Sequence, residues 1–122
     1  MTFSNQSNEQ IMVIASIKMH LAGDEKQEFN GATKLLIEKT KALDSPITYN
    51  CSEDIHGSGE FTFIEIWPSK AALDQHLATN HVQDWSLWVE PRLREPLNVM
   101  YVETGNIKPS EIETTTQIYV PS

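Results

Sequence analysis

Apolar and polar residues alternate over residues 11–20. Val13, Ala15, Ile17 and Met19 form one apolar face, and Met12, Ile14, Ser16, Lys18 and His20 a mixed one, which is the two-residue period of a strand. After the turn "AGD" (22–24), where Asp24 is the expected cap, the period lengthens. Phe29, Ala32, Leu36, Thr40 and Leu43 recur at helical spacing with Lys and Glu opposite, which predicts a helix over 25–43. Pro46 closes it, because the residue before a proline is pushed out of the α region. "ITYNCSEDI" (47–55) predicts a second strand, and "HGSGE" (56–60) a turn with two glycines. "FTFIEIW" (61–67) is then a strand returning antiparallel. "PSKAALDQHLAT" (68–79) starts a short helix, with Pro68 near its beginning and Ser69 as its cap. Beyond a break at Asn80 the chain is helical again, with Val82, Trp85, Trp88 and Val89 inward, until Pro91. "PLNVMYVET" (96–104) is the last core strand.

The order β-α-β-β-α-β predicts an α+β, ferredoxin-like fold: one antiparallel sheet with helices on one face. The second sheet face still carries Met12, Ile14, Ile64 and Ile66. Each buried aliphatic side chain is worth roughly 1.5–3 kcal/mol, so a homodimer joined through this face is expected. Residues 11–104 form the expected domain. Residues 1–10 are polar and expected to be disordered. Residues 105–122 are an extension whose "QIYV" (117–120) could form an edge strand or swap onto the partner.

Charge narrows the function classes. A net charge of −8 and only two arginines disfavour nucleic acid, which needs clustered cations. No apolar run reaches the ~20 residues of a membrane span. Cys51 has no second cysteine to pair with, so a reducing cytoplasm is expected. No cysteine–histidine spacing points to zinc.

The chemistry gathers near the third strand. Glu65 lies between Phe63 and Trp67 on the face the helices cover, where a carboxylate is costly unless paired. Its partner is either an imidazole, which it would orient as in a catalytic triad, or helix-end amides in a purely structural role. His76 follows Leu73 by three residues, along or beside the apolar face. It is either a general base in a pocket between helices and sheet, or a structural imidazole bonded to a carboxylate or carbonyl. Trp67, Trp85 and Tyr49 either wall a flat cavity or simply pack the core. His81 either anchors the helix break or lines the pocket.

The stretch "FTFIEIWPSKAALDQHLATNH" (61–81) resembles the antibiotic biosynthesis monooxygenase family, small dimeric α/β barrels that include quinol monooxygenases. The family pattern is a strand ending Glu-x-Trp, then a helix with Leu-x-x-His-Leu and a Thr-x-His turn. Here those positions are Glu65, Trp67, Leu73, His76, Leu77, Thr79 and His81. "MVIASIKM" (12–19), the "EF" pair (28–29) and Tyr49 are also similar, so the resemblance runs over residues 11–103. It implies oxidation of a small aromatic phenol or quinol by O2 without metal or flavin. His76 and Glu65 would be catalytic, with Trp67, Tyr49, Ile17, Trp85 and His81 around the substrate. Haem-degrading relatives use an Asn, a Trp and a His where Ile17, His76 and Ser86 stand, so haem degradation is not expected. Another relative, acting on a phosphorylated autoinducer-2 intermediate, shares the Glu and both His positions. The motif therefore leaves an isomerase or lyase open, as well as a non-catalytic small-molecule-binding dimer.

Overall fold

The computed structural model describes residues 10–105. The expectations for the two terminal segments lie outside these residues, except that Gln10 already opens the first strand. The elements are β1 (Gln10–Lys18), α1 (Glu25–Leu43), β2 (Thr48–Glu53), β3 (Glu60–Trp67), α2 (Lys70–Leu77), α3 (Asn80–Val89), a single 3₁₀ turn (Glu90–Arg92) and β4 (Asn98–Gly105). The strands form one antiparallel sheet in the order β2-β3-β1-β4. This is the expected ferredoxin-like α+β arrangement. No helix among the described residues is long and apolar enough to cross a membrane.

The alternation of β1 is realised as written. Ile11, Val13, Ala15, Ile17 and Met19 are buried, and the residues between them are half-buried. Cross-strand register places Val13 and Tyr49 on either side of Glu65, Ala15 beside Phe63, and Ile17 beside Phe61. The helices cover this face with Phe29 and Leu36 from α1, Leu73 from α2 and Val89 from α3. The β2–β3 turn closes on Gly59, whose φ of 82° needs glycine and where a Cβ would meet the Met19 carbonyl oxygen at 3.0 Å.

Three local expectations are corrected. The buried stripe of α1 runs through Phe29, Thr33, Leu36 and Thr40, with Ala32 beside it, because Thr33 reaches inward to accept a 3.0 Å hydrogen bond from Trp85 Nε1–H. Leu43 is in helical phase with that stripe but lies at the helix end and is 70% exposed. Asp24 caps α1 without a side-chain hydrogen bond; Glu25 Oε1 instead accepts from the backbone N–H of Ala22 at 3.1 Å. Ser69 does cap α2, accepting from Ala72 N–H at 3.1 Å.

Candidate functional site

Glu65 and Trp67 are two residues apart on β3, so the pleat puts them on the same covered face. The indole Nε1–H of Trp67 donates to Glu65 Oε1 at 2.8 Å. The carboxylate's partner is thus neither an imidazole nor a helix-end amide. Burial raises the Glu65 pKa above 4.5, and the indole hydrogen bond only partly offsets that.

His76 is on the last turn of α2 and only 2% exposed. Its ring packs against Trp67 at a 34° tilt with centroids 4.5 Å apart, and meets the edge of Tyr49 at 5.1 Å. Its Nδ1–H donates to Asp44 Oδ2 at 2.7 Å. The same oxygen accepts from His81 Nε2–H, also at 2.7 Å. Asp44 caps the C-terminus of α1, and Ser45 after it has a φ of 56°, a left-handed turn that swings the chain away from the helix axis. Thr79 holds the other side. Its hydroxyl donates to the His76 carbonyl at 2.7 Å and accepts from Val82 N–H at 3.4 Å, tying α2 to the start of α3. With Nδ1–H committed to a carboxylate, the neutral His76 ring carries its lone pair on Nε2. Burial lowers the His76 pKa below 6.5, against the pull of Asp44, so the ring is neutral at physiological pH.

Beside this network lies a cavity of about 140 Å³. The sheet contributes Val13, Ala15, Ile17, Tyr49, Phe63, Glu65 and Val99 to its wall. The helices contribute Leu36, Leu73, His76, Leu77, Val82, Trp85 and Ser86, and Leu97 and Tyr101 complete it. Of the residues singled out in the sequence, Ile17, Tyr49, Glu65, His76 and Trp85 line this space together. Trp67 does not. It is wholly buried, its face covered by His76 and its N–H held by Glu65, so it supports the imidazole instead of walling the cavity. His81 is also outside the lining, held on the far side of Asp44. Asp44 was missed altogether. Its signal was a lone acid before "SP", 32 and 37 residues from its partners. Burial pushes the Tyr49 phenol well above its ordinary pKa and the Cys51 thiol to about 12, so neither ionises near neutrality.

The family model of antibiotic biosynthesis monooxygenases matches residues 12–87, which include most of β1, all of β3, His76 and His81. The chain belongs to this family. Among its relatives is the uncharacterized protein sll1783 of Synechocystis sp., 30% identical over 79 residues. That match covers 65% of this chain and 52% of the relative, so the chain spans about half of that protein's length. A solved antibiotic biosynthesis monooxygenase is 27% identical, with a TM-score of 0.68 over 81% of this chain and 99% of its own. A conserved protein from Methanosarcina mazei Go1, 24% identical, shares the fold at a TM-score of 0.69, covering 82% of this chain and 97% of its own.

Proposed function

We propose that this chain is a cofactor-independent monooxygenase that oxidises a small, single-ring phenol or quinol with O2. One observation carries the reading: His76, oriented by Asp44, borders an apolar cavity of about 140 Å³. A cavity near 150 Å³ lined by apolar side chains is known to take up benzene, so this one suits one ring better than a fused polycycle. Its lining contains no lysine or arginine among the described residues, which disfavours the phosphorylated substrates of an isomerase or lyase.

In this mechanism His76 Nε2 takes a proton from the substrate hydroxyl, and Asp44 stabilises the imidazolium that forms. The substrate anion gives one electron to O2, and the resulting radical and superoxide join through a new C–O bond. Loss of water from that hydroperoxide, with the proton returned by His76, leaves the oxygenated ring. For a hydroquinone the sum is hydroquinone plus O2 giving hydroxyquinone plus water. Glu65, kept protonated to a higher pH than an exposed acid, can hydrogen-bond a second substrate oxygen.

The bare sheet face supports a homodimer in this reading. Ile64 is 43% exposed, Met100 56% and Val102 39%, with Met12, Ile14 and Ile66 between them. The proposed setting is the cytoplasm, where the lone Cys51 stays reduced.

The test is O2 uptake by metal-free protein across a panel of monocyclic hydroquinones. At least one should be consumed faster than its autoxidation blank, and His76→Ala should lower that rate roughly 100-fold or more. Rates no faster than the blank, or unaffected by His76→Ala, contradict the proposal. Tight binding with no turnover would instead identify a ligand-binding dimer.

A further inference from the structure

Asp44, His76 and His81 come from three separate helix ends, yet their donor atoms converge. Asp44 Oδ2 lies 2.7 Å from both His76 Nδ1 and His81 Nε2, and the three ligand atoms fall within 4.8 Å of one another. Their side chains are 9%, 2% and 10% exposed, so the cluster is withdrawn from bulk water without being sealed from it. We propose that this cluster binds a divalent transition-metal ion, Zn²⁺ foremost, through His76 Nδ1, His81 Nε2 and a carboxylate oxygen of Asp44, with solvent as a fourth ligand.

Two imidazoles and one carboxylate are the donors of open zinc sites, and they suit a borderline ion better than Mg²⁺ or Ca²⁺, which prefer all-oxygen shells. Bonds of the usual zinc length at tetrahedral angles set donor atoms about 3.3 Å apart. Each N···O contact must therefore open by roughly 0.6 Å, a change that side-chain torsions can supply. The proton on each coordinating nitrogen moves to the other nitrogen of its ring, so neutral histidines need release none. Two of the three groups sit at helix C-termini, Asp44 after α1 and His76 in the last turn of α2, where the carbonyl dipoles favour a cation. Spacing along the chain hid the site, because its ligands are 32 and 5 residues apart and belong to no compact motif.

The binding stands apart from the proposed reaction, but its consequence rests on that reading. Coordination at Nδ1 moves the His76 proton to Nε2, which turns the base facing the substrate into a donor. Zn²⁺ would then silence the oxygenase, and a chelator would restore it.

The experiment is calorimetric titration of tag-free, chelator-treated full-length protein with ZnCl₂, alongside Asp44→Asn and His81→Ala. One saturable site is expected, weakened about tenfold or more in both variants. Co²⁺ should give the intense visible absorption of a four-coordinate site, lost in His81→Ala. No saturable binding by wild type overturns the proposal. So does undiminished affinity in His81→Ala, which decides the matter if Asp44→Asn fails to fold. These readouts need no substrate, so a protein that binds Zn²⁺ but oxidises no quinol would refute only the oxygenase reading.

Discussion

Half-buried Asp44 and buried Glu65 are both acids near His76, but they act differently, and single substitutions separate them. Asp44 accepts from two imidazoles, so Asp44→Asn keeps the shape while removing the charge that orients and stabilises the His76 ring. The expected result is a fall in kcat of about tenfold or more with KM little changed, measured by steady-state O2 uptake. Glu65 accepts from Trp67, and burial raises its pKa above 4.5. The folded state therefore holds the Glu65 proton to a higher pH than the unfolded chain does. Its contribution is complete below pH 4.5 and is lost as pH rises through the folded-state pKa. Denaturation across that range should show the stability difference moving in favour of Glu65→Gln as pH rises; a pH-independent difference would contradict the assignment. At this scale the sequence was half legible. The Glu-x-Trp spacing places both groups on one face of a strand, so the pair could be read locally. Asp44 could not, because its partners lie beyond a whole strand pair.

The elements were the most legible part, since periodicity is a backbone property and burial follows it. β1 alternates as written, and α1 starts and stops at the expected residues. Misreadings cluster at ends, where position along the axis matters as much as phase: Leu43 is in phase yet exposed, and Asp24 caps without its side chain. The end of α1 is also strained, because Ser45 holds a φ of 56° that glycine adopts freely. Ser45→Gly should stabilise the fold by about 0.5–1 kcal/mol in chemical denaturation, with the orientation of Asp44 preserved. At the joint between α2 and α3 the Thr79 hydroxyl bonds both helices. Thr79→Ala should cost about 1 kcal/mol, while Thr79→Ser restores most of it.

For the molecule as a whole, the antiparallel sheet and its covered face followed from the sequence, but the contents of the hollow did not. Alternation says which residues face inward, yet not which of several inward aromatics meets empty space. Trp67 packs solidly against His76, while Trp85 borders the cavity. The uncovered apolar face predicts a dimer: light scattering should give about twice the 13.8 kDa of one chain, and Ile64→Lys should return it to one. A wild-type protein that runs as a monomer would remove that expectation and leave the cavity chemistry standing. Isotope incorporation tests whether His76 drives transfer of oxygen from O2 onto a ring held in the cavity. In an atmosphere of heavy-isotope O2, the quinone made from a monocyclic hydroquinone should carry one labelled oxygen, at a rate that collapses to the buffer blank in His76→Ala. Unlabelled product, or labelling that His76→Ala leaves at the wild-type rate, would contradict it.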